Sequence, residues 1–468
     1  MRTESDFLGP VQVPEAAYYG GFTVRAAKNF QLSGHRAPPN LIRAILLIKK
    51  ASALANLEES LLDPIKAKAI IQAADEALCG KFDDQFIMDA FQAGAGTPYN
   101  MNANEVLANR ATELLGGKKG QYLVHPNNHV NCSQSSNDVI PTAIRLACLL
   151  VLPGLEKNVS DLEAAFEKKA KQFSKIIKPA RTHLQDAVPI TLGQQFASYA
   201  SALGRSQKRV QSAANALQEI HLGGTAAGTG INTTPTYAKN VTAKLSKLSG
   251  ITMHTTTDFI ELTQNHNDFL HFGQSLSLLA TDVCRICTNL KLLSSGPKTG
   301  LGEITLPDVE PGSSIMPGKV NPSIPEAAEM AAMHVLGAMH AVELSCVNTQ
   351  LDLNTNTPLI AFELLNSMAL LEKTCGMLTR ECVLGIRADE KQIRHYVDQS
   401  TIVATALNPA LGYSTVGKLV QESLKSGKPI RQIVLDRKLL PPKQLDALLD
   451  PENLTKPNLK TGTNKKQK

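Results

Sequence analysis

Residues 272–293 read FGQSLSLLATDVCRICTNLKLL, and the spacing of their apolar side chains decides the fold. Phe272, Leu276, Leu279, Val283, Ile286, Leu290 and Leu293 step by alternating fours and threes, the seam of a helix that presents one apolar stripe to a partner. Leu278, Ala280, Cys284 and Cys287 widen the stripe, so this helix is expected to be buried on several sides. Leu155, Val159, Leu162, Phe166, Ala170 and Phe173 repeat the period. Residues 196–220, rich in Ala and Ser, form a third such stretch, and 327–342 a fourth with little bulk. Met330, Met333 and Met339 read there as core filler. Several helices of about 20 residues or more predict a mainly α fold around a long-helix bundle. Its faces carry more small and apolar side chains than one chain covers, so a homo-oligomer is expected.

Around that bundle, assigned to 138–391, residues 1–137 mix shorter helices with Gly- and Asn-rich loops. Residues 392–468 read as short helices broken at Asn408-Pro409, Gly427-Lys428-Pro429 and Pro441-Pro442, and three domains with these boundaries are expected. A hydrophobic fraction of 43% excludes disorder over most of the length, while 4% aromatics and no Trp leave the packing to Leu, Ala, Ile and Val. The net charge of +6 is local: Lys456, Lys460, Lys465, Lys466 and Lys468 crowd the end, and without them the chain carries +1. They read as a solvated, frayed tail, and no nucleic-acid partner is expected.

No unbroken apolar run approaches the roughly 18 residues of a membrane span; Leu146 to Leu152 stops at Pro153, so no membrane is expected. The start, Met1-Arg2-Thr3-Glu4-Ser5-Asp6, has no apolar signal core, and eight scattered cysteines make no disulfide framework, so a cytoplasmic location is expected. Cys284 and Cys287 form a lone CxxC, two ligands at most, and read as packing.

Four polar islands interrupt the helical pattern. They are Gly94-Ala95-Gly96-Thr97-Pro98-Tyr99-Asn100-Met101-Asn102; His125-Pro126-Asn127-Asn128-His129-Val130-Asn131 running into Ser133-Gln134-Ser135-Ser136-Asn137-Asp138; Arg181-Thr182-His183-Leu184-Gln185-Asp186; and Gly312-Ser313-Ser314-Ile315-Met316-Pro317-Gly318-Lys319-Val320-Asn321-Pro322. Singly, each has a plain explanation: Ser, Thr and Asn cap helices, and Asp138 or Thr142 suits the helix that follows. Together they supply hydroxyls, amides, a His and a Lys without a Cys or acidic cluster, a kit for an anion and not a metal cage. Residues 312–319 do not make a phosphate loop, because Val320 stands where Ser or Thr is required. Residues 223–230 lack the preceding strand of a dinucleotide fold, and Ser313-Ser314 lacks the Gly-x-Ser-x-Gly frame of a hydrolase.

Such a kit suits proton abstraction beside a carboxylate, where charge builds on the carboxylate and donors aimed at its oxygens stabilise that state more than the ground state. Gly312 and Gly318 bracket Ser313, so a base on that loop can close over a substrate and exclude water. A bare serine is a poor base, and Lys319 or loop amides would have to lower its pKa.

The fourth island resembles the signature of the fumarase/aspartase superfamily, and the other three fall in the order and spacing of that family, from about Arg2 to Pro457. The resemblance implies a three-domain, mainly α homotetramer with a shared central bundle, active sites drawn from three subunits, and a cofactor-free anti elimination that gives fumarate. By position it implies Ser313 as general base with His183 as the second catalytic residue. Thr97, Ser135, Ser136, Asn137, Thr182 and His183 would hold a small dicarboxylate, Lys319 and Asn321 would grip its carboxylate, and Glu326 and Ser314 would support, Glu326 by tuning His183. Tyr18-Tyr19-Gly20, Gly94-Ala95-Gly96-Thr97, residues 385–390 and residues 449–457 resemble the branch that removes ammonia from L-aspartate. Ser136, His125-Pro126-Asn127 and Gly223-Gly224-Thr225 resemble the class II hydratases that act on L-malate, and Asn128 and Thr357 resemble neither. The flanks favour aspartate; malate is the alternative. A non-catalytic helical scaffold on this fold is a third reading, disfavoured because Ser313, Lys319, Asn321, Thr182 and His183 are all present.

Overall fold

The computed structural model describes residues 1–457; of the lysine-rich tail only Lys456 falls among them, exposed, and the rest lies outside the described residues. Helices dominate, the longest being Ser136–Gln172, Asn267–Leu293, Ser323–Val347, Leu192–Ala214 and Thr357–Met377. By packing the chain forms two compact units. One comprises Met1–Asn158, Ser206–Asp282 and Met330–Thr374; the other comprises Val159–Arg205, Val283–Glu329 and the chain from Cys375 onward. The division falls inside all five of those helices, so it follows packing rather than chain order. The segments 1–137, 138–391 and 392–468 are a division along the sequence and stand as our proposal for its organisation.

The seam that opened the sequence reading is buried throughout: Phe272, Leu276, Leu279, Val283, Ile286, Leu290 and Leu293 are at most 4% exposed. Leu278, on the flank of the same helix, is 47% exposed, so burial on that side is incomplete. In Ser323–Val347 the methionines divide. Met339 is core filler, whereas Met330 and Met333 are 65% and 56% exposed, which corrects the reading of all three as core. They belong to a second seam of the same helix: Glu326, Met330, Met333, Gly337, His340, Leu344 and Val347 step by fours and threes and all are exposed. Ala328, Ala332, Val335, Met339 and Val342 cover the opposite, buried side.

Two helices, Ser136–Gln172 and Ser323–Val347, are long and apolar enough to cross a membrane by length and composition. The expectation of none rested on unbroken runs, which Pro141, Pro153 and scattered polar residues interrupt. The apolar window of Ser136–Gln172 is 72% buried within the chain, as in a core helix. Among the described residues, strands are confined to two-stranded pieces. The longest pairs Ile177–Thr182 with Gln185–Thr191, in antiparallel register with Thr182 opposite Gln185. Near the end, Leu407, Leu419, Ile430, Ile433, Val434 and Leu445 join short helices around a small core of their own.

Candidate active site

In the first unit the first two islands meet. The carbonyl of Gly94 accepts from Thr357 N at 3.1 Å and from Thr357 Oγ1 at 3.0 Å, which gives Thr357, foreign to either branch's pattern, a role as a clamp. A Cβ at Gly94 would lie 1.9 Å from the Thr355 carbonyl oxygen, so only glycine fits. Gly96, at φ +68°, turns the chain into the helix Thr97–Leu114 and packs against Ile140. Thr97 is half-buried as the first residue of that helix.

The second island begins as a short π-helical turn, Pro126–Val130. His125 Nδ1 accepts from the amides of Asn127 and Asn128, and Lys66 Nζ lies 3.1 Å from His129 Nε2. Burial and the Lys66 charge hold His129 below the usual histidine range. Farther on, Asn137 N donates to Ser135 Oγ at 3.2 Å and Ser135 N to Asp138 Oδ1 at 2.9 Å. This reciprocal capping box starts the helix Ser136–Gln172 and makes Asp138 a structural residue. Its other oxygen accepts from Gly223 N and Thr225 N, both at 3.0 Å, while burial pushes the acid up to about 6. Asn137 Nδ2 donates to the Ala226 carbonyl at 2.8 Å, and His221 Nε2 lies 3.0 Å from the Asn137 carbonyl oxygen. Burial pulls His221 down to about 3, so the ring is neutral at physiological pH.

Behind the island lies Lys49, which the sequence reading missed. Its Nζ donates to Asn100 Oδ1 at 2.6 Å, Gln134 Oε1 at 2.9 Å and Asn131 Oδ1 at 3.0 Å. Asn100 Nδ2 in turn donates to Ser136 Oγ at 3.1 Å. Burial pulls Lys49 down to about 7, opposed by the Asp138 charge. The available signal was a lysine on the apolar stripe Leu41, Ile45, Ile48 of the helix Pro39–Glu58.

In the second unit Thr182 and His183 sit at the exposed tip of the hairpin. His183 and Leu184 both adopt left-handed backbone, at φ +57° and +58°, in a turn where Asn-Gly is the usual pair. Each such residue costs of order 1–3 kcal/mol, a strain that collects at functional sites and is held by the surrounding structure. The strand leading into the turn is anchored on Glu303, fully buried, with Lys178 Nζ at 2.9 Å and Arg181 Nη1 at 2.6 Å from its oxygens. Arg181 stacks 5.4 Å from the Tyr396 ring centroid, and Tyr396 donates to the Leu301 carbonyl at 3.0 Å. Glu303→Met would leave buried Lys178 and half-buried Arg181 without their carboxylate, at a cost of about 3–5 kcal/mol. A clear fall in melting temperature is the expected result.

The fourth island is a loop closed on itself. Gly312 N donates to the Lys319 carbonyl at 2.8 Å and Asn321 Nδ2 to the Gly312 carbonyl at 2.6 Å. A Cβ at Gly312 would lie 2.7 Å from Asn321 N and Lys319 O, and Gly318 turns the chain at φ +77°. Within it Ser313 Oγ accepts from Ile315 N at 3.2 Å and Met316 N at 3.0 Å. Lys319 and Ser314 are exposed. Asn321 Nδ2 carries two hydrogens, one of which closes the loop. Glu326 is exposed in the first turn of Ser323–Val347, and among the described residues no ion pair or hydrogen bond joins it to His183. Among the described residues no three His, Cys, Asp or Glu side chains group as a metal cage, and Cys284 and Cys287 are free thiols.

A protein-family profile described as "Lyase" matches residues 9–337, and one described as "Fumarase C C-terminus" matches 403–456. The chain belongs to the fumarase/aspartase superfamily. As a member of that superfamily of lyases it is 43% identical to the aspartate ammonia-lyase of Bacillus subtilis (strain 168), over 98% of this chain and 97% of the relative. It is 44% identical to that of Pseudomonas fluorescens over the same shares. Among solved structures, a "fumarate lyase:delta crystallin from Brucella melitensis bound to cobalt" superposes with a TM-score of 0.94 at 43% identity, covering 97% of this chain and 100% of that one. A "recombinant class II fumarase from Schistosoma mansoni" gives the same TM-score at 33% identity, covering 97% and 99%. The superfamily's mainly α fold is therefore the fold of this chain.

Proposed function

We propose that this lyase is an aspartate ammonia-lyase, and that Ser313, on a loop that closes over the substrate, is its general base. The observation that carries the base is the pair of loop amides on Ser313 Oγ, which favour the alkoxide over the neutral hydroxyl. The alkoxide takes a proton from C3 of L-aspartate, and the electron pair left behind delocalises onto the adjacent carboxylate. As that charge returns, the C2–C3 double bond forms and the C2–N bond breaks on the opposite face, its pair leaving with nitrogen as ammonia. Ammonia then takes up the proton from Ser313, so L-aspartate yields fumarate and ammonium.

Lys319 and Asn321 grip a carboxylate, while Thr97, Ser135, Ser136, Asn137, Thr182 and His183 hold the remainder, with Ser314 in support. His183, tuned by Glu326, is the second catalytic group. No cofactor enters the scheme, and the cytoplasm is the location we assign. The substrate assignment is supported by relatives 42–44% identical that are aspartate ammonia-lyases. Class II fumarate hydratase is the second reading, favoured by Ser136 and by the fumarase at 33% identity.

The assembly we propose is a homotetramer in which each active site takes islands from three subunits. The exposed heptad seam of Ser323–Val347 supports it, and so does the lack, among the described residues, of any hydrogen bond or ion pair between Glu326 and His183 within one chain. The test runs the reaction backward. Fumarate with ammonium in heavy water should give L-aspartate carrying deuterium at a single C3 position, read by proton NMR. Formation of malate, with or without ammonium, would replace this reading with the hydratase.

A further inference from the structure

The buried cation behind the second island has no place in the chemistry above. Lys49 is 0% exposed, and in its protonated form its ammonium has three hydrogens and no acceptor, so each of its three amide partners turns an oxygen towards it. For Asn100 this settles the orientation of the amide. With Oδ1 facing Lys49, Nδ2 points away and donates to Ser136 Oγ and to Asn131 Oδ1, both at 3.1 Å. Ser136 Oγ is thereby an acceptor on its inner side. Among the described residues no acceptor takes the Ser136 proton.

We infer that Lys49 is a positioning residue that acts through Asn100 to turn the Ser136 hydroxyl outward, as a donor to a substrate carboxylate. The inference rests on the reading of Ser136 as a substrate-binding residue. A purely structural lysine, present to balance buried Asp138, would need no particular direction of hydrogen bonding at Ser136. The Asp138 oxygens are already taken by the amides of Ser135, Gly223 and Thr225.

Asn100→Asp separates the two roles. Aspartate at this position still accepts from Lys49 and adds a counter-charge, so a structural lysine stays satisfied. It has no N–H to offer, so the Ser136 hydroxyl must turn inward and donate to it. Asn100→Asp should therefore raise KM as Ser136→Ala does, by about ten-fold or more, the usual consequence of losing a hydrogen bond to a charged group, with a smaller change in kcat. The double variant should be no worse than either single one, because both remove the same bond. Lys49→Met, if it folds, should show the same rise, and melting curves and sedimentation of the intact assembly accompany each variant.

Calorimetric titration of fumarate follows the same cycle, since either branch of the superfamily binds fumarate and the result does not depend on which substrate is turned over. A KM and fumarate affinity for Asn100→Asp within about two-fold of wild type, beside a ten-fold loss in Ser136→Ala, overturns the inference. An unchanged Ser136→Ala overturns it as well, and locates the failure in the role of Ser136 itself.

Discussion

Ser313→Ala should lower kcat for L-aspartate by about 10²–10⁴-fold, the range a positioned general base contributes, while assembly and melting temperature stay at wild-type values. The hydroxyl is half-buried in a loop whose closure uses other atoms, namely Gly312 N, the Lys319 carbonyl and the Asn321 amide. Removing one oxygen leaves that frame intact and releases only the amides of Ile315 and Met316 to water. KM should move little, because the carboxylate grip we propose lies with Lys319 and Asn321. Steady-state kinetics decide the matter: a loss smaller than about ten-fold, under about 1.4 kcal/mol of barrier, would take Ser313 out of the base role.

Gly337→Leu should abolish activity by a different route. Gly337 lies on the exposed seam of Ser323–Val347, and among the described residues nothing within 4 Å would meet a Cβ built there. Inside one chain the change is harmless, and replacing glycine in a helix interior stabilises by up to about 1 kcal/mol. Across the close helix contact we propose with another copy, the same side chain has nowhere to go. Sedimentation velocity should show the variant below the mass of four chains, with helical content retained and activity lost with the shared sites. A fully active tetramer would contradict the interface, and full activity below the mass of four chains would contradict the sharing of sites.

The two results bear on what the sequence makes legible. The seam from Phe272 to Leu293 was read residue by residue, because heptad spacing and burial in the chain coincide there. The same spacing misled at Met330 and Met333, since periodicity marks an apolar face without saying whether the chain itself or another copy covers it. The fourth island was legible as a contiguous motif, and its glycines sit where close approach or positive φ requires them. Lys49 and Glu303 were not. Their partners lie 51 to 85 residues away for Lys49 and about 120 for Glu303, and no local pattern announces such pairs. The left-handed His183-Leu184 turn was equally silent, because local propensity argues against it. Asp138, first weighed as a helix cap, is one, and it completes a box with Ser135, itself a proposed substrate residue.

The most direct measurement is ultraviolet absorbance at fumarate wavelengths, with purified protein given L-aspartate in one cuvette and L-malate in another. The account predicts fumarate from L-aspartate and none from L-malate, with Ser136 then a tolerated variation on the ammonia-lyase site. Fumarate from L-malate alone would contradict it and make the chain a class II fumarate hydratase.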